Sequence, residues 1–69
     1  MKKMQVKTII EKIMNGEIHT YELMFYIEDI GYLEVDEIYF TDEGLEVHNN
    51  TTDIKNFYCF DEFMPVQIV

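Results

Sequence analysis

Sixty-nine residues with a net charge of −9 make one small domain, residues 1–69; a chain this short buries only roughly 60 % of its unfolded surface and has little stability to spare. A single cysteine, Cys59, excludes an internal disulfide, and no Cys/His spacing suits structural zinc. Ser, Ala, Arg and Trp are absent, which removes a serine nucleophile and the two-pronged arginine grip on phosphate or carboxylate, and leaves ten aromatics to build a dense core.

In chain order, Val6, Ile9, Ile10 and Ile13 follow helical spacing, with Lys7, Thr8, Glu11 and Lys12 on the other side. Asn15-Gly16 tolerates a left-handed turn, so the first helix is predicted from about Met4 to Met14. Thr20 as N-cap and Glu22 in the first turn predict a second helix that ends at Gly31. Its stripe is Leu23, Tyr26, Ile27 and Ile30, while Tyr21, Met24 and Phe25 form a second apolar face. The short connection Gly16–His19 makes the two helices a hairpin.

After Gly31 the period changes to two. Ile38 and Phe40 alternate with Glu37 and Tyr39, Thr41-Asp42-Glu43-Gly44 makes a turn, and Leu45 and Val47 alternate with Glu46 and His48. A four-residue loop sets Phe40 against Leu45 and Ile38 against Val47 on one face, and Tyr39 against Glu46 and Glu37 against His48 on the other. Leu33 and Val35 have the opposite parity, so a bulge or a new strand falls near Asp36-Glu37. A third strand is predicted over Ile54–Phe60 and a short edge strand over Val66–Val69. The expected class is α+β: an N-terminal helical hairpin covering a small antiparallel sheet of three to four strands.

The charge is unevenly placed. Four of the five lysines (Lys2, Lys3, Lys7, Lys12) lie in the first helix region. From Ile13 to Ile54 there is no cation but there are eleven acids. Such a field repels nucleic acid and steers basic surfaces inward. The candidate contact residues are Glu28, Asp29, Glu34, Asp36, Glu37, Asp42, Glu43 and Glu46, with Tyr39, Tyr21 and Phe25 as anchors. His19 with Glu22, and His48 with Glu37, are only pairs, whereas a stable zinc site needs three or four ligands. No metal, cofactor or catalytic activity is expected. Lys7, Glu11 and Lys12 interrupt any apolar run near the start, and no stretch is long enough to span a membrane, so the expected location is cytoplasmic. The preference for Lys, Ile, Asn, Phe and Tyr suggests an AT-rich coding sequence, as in low-GC bacteria or their phages.

In its size, its cation-free stretch from Ile13 to Ile54, and its acids Glu34, Asp36, Glu37, Asp42 and Glu43, the chain resembles the small acidic proteins that phages and mobile elements use against host machinery. Anti-CRISPR proteins, uracil-DNA glycosylase inhibitors and anti-restriction DNA mimics are of this kind. The resemblance is one of composition and carries over no functional residue. It implies a non-enzymatic protein that binds a basic partner surface, such as that of a nucleic-acid-binding enzyme, without touching nucleic acid or membrane itself. The competing expectation is a homo-oligomer, a homodimer through the C-terminal strand or the Tyr21/Met24/Phe25 face, with charge serving only solubility.

Overall fold

A computed structural model of the chain describes residues 2–67. Among these, seven short strands accompany one α-helix: β1 (Lys2–Gln5), α1 (Val6–Met14), a 3-10 turn (Thr20–Glu22), β2 (Met24–Ile27), β3 (Gly31–Glu34), β4 (Glu37–Phe40), β5 (Gly44–Asn49), β6 (Ile54–Cys59) and β7 (Phe63–Val66). The strands form three small antiparallel sheets, β1–β7, β2–β3 and β4–β5–β6. The protein is therefore mostly β, and the expected helical hairpin followed by a sheet is corrected.

The correction lies in residues 20–30. Thr20–Glu22 complete a single 3-10 turn, and the chain then extends. Phe25 is fully buried while Tyr26 beside it is exposed, as expected when successive side chains of a strand point to opposite faces. Aromatic and β-branched residues favour this state, and a free-standing helix of this length is marginal. Tyr32 and Leu33 supply the partner strand, with Phe25 opposite Leu33 and Tyr26 opposite Tyr32. Asp29 takes a left-handed φ of 74° in the connecting turn, which the Ile30 N–H closes on the Ile27 carbonyl at 3.1 Å. Gly31, expected to stop a helix, instead begins the return strand with φ 104°.

Helix α1 starts two residues later than expected because Met4 and Gln5 belong to β1. No side chain caps its first turn. Instead the Val6 and Lys7 N–H groups donate to the Glu62 and Phe60 carbonyls at 2.8 and 3.0 Å, which satisfies two of the four orphan donors. The helix ends at Asn15 and Gly16 as expected, with Gly16 at φ 73°.

The β4–β5 hairpin has the expected register: Phe40–Leu45, Ile38–Val47, Tyr39–Glu46 and Glu37–His48. The Thr41 hydroxyl accepts from the Glu43 and Gly44 N–H groups at 3.2 and 3.0 Å. At Gly44 a Cβ would strike the Tyr58 carbonyl oxygen and lie 2.9 Å from the Cys59 Cα, so the close approach of β6 demands glycine there. The parity change at 35–36 is a passage between two sheets rather than a bulge within one strand. Val35 is buried at the passage, and the Asp36 N–H continues the ladder to the His48 carbonyl at 2.8 Å. Asn49, the buried polar side chain of the core, clasps the corner by donating to the Glu34 carbonyl at 2.9 Å and accepting from the Thr52 N–H and hydroxyl at 2.9 and 2.8 Å.

One core joins the three sheets: Val6 and Ile9 from the helix, Ile18, Leu23, Phe25, Val35, Leu45, Val47, Tyr58, Met64 and Val66. Strand β7 lies inside this arrangement. It pairs with β1 on one side, and on the other Val66 bridges Leu23 while the Gln67 N–H donates to the Glu22 carbonyl at 2.7 Å. The remainder of the expected edge strand, residues 68–69, lies outside the described residues.

Candidate partner-binding surface

The outer face of β4–β5–β6 is set by the parity of the β4–β5 hairpin and the register of β5 on β6. Two cross-strand rows result, Glu37–His48–Lys55 and Tyr39–Glu46–Phe57. Tyr39 and Phe57 are 46 % and 39 % exposed. The Tyr39 hydroxyl donates to Glu37 Oε1 at 3.1 Å, and its ring lies 4.8 Å from that of His48. That hydrogen bond and the Glu37 charge, followed by slight desolvation and Glu46, push the Tyr39 phenol up from its ordinary value, so it stays neutral.

His48 faces Glu37 across the ladder, but the carboxylate near its ring nitrogen is that of Glu46, Nε2 to Oε2 at 3.2 Å. The buried Nε2 makes no directed hydrogen bond. The Glu46 carboxylate thus lies close to the ring nitrogen without the alignment of a hydrogen bond. Among the described residues no three His, Cys, Asp or Glu side chains converge in a metal-binding arrangement.

The structure thus brings together Glu37, Tyr39 and Glu46, and places Asp42 and Glu43 on the turn that closes the same hairpin. Asp36 adjoins them, but its carboxylate accepts from the Asn50 N–H at 2.7 Å and braces the corner. Glu28 and Asp29 occupy the tip of the separate β2–β3 hairpin, and Glu34 lies at that hairpin's other end. Tyr21 is 72 % exposed and stacks on His19 at 5.2 Å in the 3-10 turn. Phe25 is corrected: with 0 % exposure it is a core residue and offers a partner nothing. The expected Tyr21/Met24/Phe25 face dissolves with the helix that would have created it.

Phe57 and Lys55, which complete the face, were not among the expected contacts. The signal for them is the Asn50–Asp53 turn, which sets Asn49 against Ile54 and carries the parity of β5 onto β6. Cys59 at the end of that strand is half-buried; burial, then the charge of Glu62 and a hydrogen bond to it, push its thiol up and keep it protonated. No helix among the described residues is long and apolar enough to cross a membrane. No protein-family model matches the chain, and comparison with curated proteins and with solved structures finds no match.

Proposed function

We propose that this chain is a non-enzymatic interaction protein that binds a basic surface of a partner, and that it acts as an inhibitor of a nucleic-acid-binding protein in the manner of phage-type inhibitors and DNA mimics. The observation that carries the reading is the outer face of β4–β5–β6. There Glu37 lies beside Tyr39 and Glu46 stands between Tyr39 and Phe57, next to the acidic turn at Asp42 and Glu43. Carboxylates supply steering and fast encounter, while half-exposed aromatics supply the apolar contact that charge alone lacks. Lys55 at the margin is the only cation in the two cross-strand rows.

The test is an NMR titration with a lysine-rich peptide, which carries the charge of such a partner. Shifts are expected at Tyr39, Glu46 and Phe57, and affinity is expected to fall steeply as salt rises. The double variant Glu37→Gln with Glu46→Gln should bind more weakly at low salt. Binding that ignores ionic strength, or shifts spread evenly over all acids, would count against the reading. A second reading, self-association with charge only for solubility, is favoured by β4 as the edge strand of its sheet, where Phe40 is half-exposed. Sedimentation at micromolar concentration separates the two, since a strict monomer contradicts the second.

A further inference from the structure

Away from the acidic face lies a cleft of about 380 Å³ lined by Lys3, Tyr26, Tyr32, Tyr58, Phe63 and Pro65. Its walls follow from strand register. Tyr26 and Tyr32 are directly opposed across β2–β3 and meet edge to face, with centroids 5.2 Å apart and planes at 69°. Lys3 and Pro65 are directly opposed across β1–β7, and Phe63 shares the Pro65 side of β7 by the two-residue period. Phe63 is 59 % exposed, and Tyr26 and Tyr32 are about half exposed. Three exposed rings gathered around one cleft are a candidate contact surface.

We propose that this cleft docks an extended, proline-containing segment of a partner protein, with lysine or arginine next to the prolines. The polar groups that the lining side chains contribute are three phenol hydroxyls and one ammonium, all able to donate. Burial pushes the Tyr58 phenol up from its ordinary value, against the smaller pull of its contacts with Asn56 and the Tyr26 backbone, so it keeps a proton to give. A polyproline II segment is the complement: it makes no internal hydrogen bonds, its carbonyls are free to accept, and its proline rings are apolar and carry no N–H. Aromatic-lined grooves bind such segments with little ordering cost, because the segment is already extended.

Charge selects the flank. Glu28 and Asp29 form the turn one residue pair beyond Tyr26 and Tyr32, and Glu62 precedes Phe63 and lies close enough to Tyr58 to act on its phenol. Within the cleft the charged lining residue is Lys3, whose ammonium can donate to a carbonyl of the segment; outside it, in a chain of net charge −9, these acids favour cations at the segment's ends. The sign of the flanking charge rests on the acidic reading above; the aromatic groove does not.

The experiment is an NMR titration of the full chain with two peptides: a run of prolines with an arginine at each end, and the same peptide with glycine in place of proline. The proline peptide is expected to shift Tyr26, Tyr32 and Phe63, and the glycine peptide to leave them unmoved. Tyr32→Ala and Phe63→Ala alter exposed rings and should each weaken proline-peptide binding about tenfold, whereas Tyr39→Ala on the acidic face should not. Groove shifts with the proline peptide, even with none on the acidic face, support the proposal and tell against the acidic face instead. Shifts at Tyr39, Glu46 and Phe57 with both peptides, and none in the groove, overturn the proposal and leave the acidic-face reading standing. Groove resonances that move on dilution without peptide would put a second copy of the chain there and overturn it as well.

Discussion

The β4–β5–β6 sheet and the β1–β7 pair are both antiparallel ladders, yet they are drawn from opposite ranges of the chain. The first joins neighbours through the short turns after Phe40 and Asn49. The second joins Gln5 to Phe63 and Lys2 to Val66, across nearly the whole sequence. Loop-closure entropy grows with the logarithm of loop length, so the long closure costs roughly 2–3 kcal/mol more than a tight turn. That cost must be met by the core beneath the pair, where Val6, Leu23, Met64 and Val66 are fully buried. The local sheet carries the acidic face and, closed by short turns, is expected to be the stiffer region. The long-range closing pair is expected to be the softer region, and together with the β2–β3 hairpin and Tyr58 of β6 it lines the aromatic cleft.

The strongest way to break this comparison is at Gly44. A methyl group there meets the backbone of β6, so Gly44→Ala is expected to remove most or all of the stability of so small a chain, about 5 kcal/mol or more, in chemical denaturation. A variant as stable as its parent would mean that β5 and β6 do not approach as described. Next is Phe25→Ala, expected to cost about 3–5 kcal/mol by emptying the core beneath β2–β3. Amide exchange in that variant should reach β2, β3 and β1 first and β5 last; a uniform loss of protection contradicts the division into stiff and soft regions. Were Phe25 a surface contact, stability would hardly change.

Asn49→Ala should cost about 1–3 kcal/mol, because it strands the Glu34 carbonyl and the Thr52 donors at the corner between the two regions. A cost near zero would show the corner to be held by packing alone. The smallest effect is alkaline. Burial raises both the Tyr58 phenol and the Cys59 thiol, so between each ordinary pKa and its raised value the folded state holds a proton that the unfolded state has lost. Stability is therefore complete below the ordinary values, 9.0 for the thiol and 10.0 for the phenol, and declines as pH rises beyond them through the raised ones. Tyr58→Phe should flatten the phenol's part of that decline, measured as melting temperature against pH. An unchanged slope would place the phenol in water.

The legible parts are those in which one periodicity stands alone. Ile38, Phe40, Leu45 and Val47 alternate cleanly around a glycine turn, so the hairpin register and the shared face of Glu37, Tyr39 and Glu46 follow from sequence. Asn15-Gly16 likewise ends α1. Residues 20–30 are apolar at both helical and strand spacings, and Thr20, Glu22 and Gly31 serve a 3-10 turn and a hairpin as well as they would serve a helix. Local signals there are degenerate, and pairing with Tyr32 and Leu33 decides. Phe57 and Lys55 joined the face only through the β5–β6 register.

The sequence by itself determined the charge asymmetry, the first helix and the β4–β5 hairpin, because each depends on residues a few positions apart. Tertiary structure alone decided that Met4 and Gln5 extend, that Phe25 turns inward, that β7 is enclosed between β1 and Leu23, and that Lys3, Tyr26, Tyr58 and Phe63 line one cleft. The physical reason is range. A tight turn spends little entropy and is settled locally, whereas joining the two ends of the chain becomes favourable only when the whole core is buried at once.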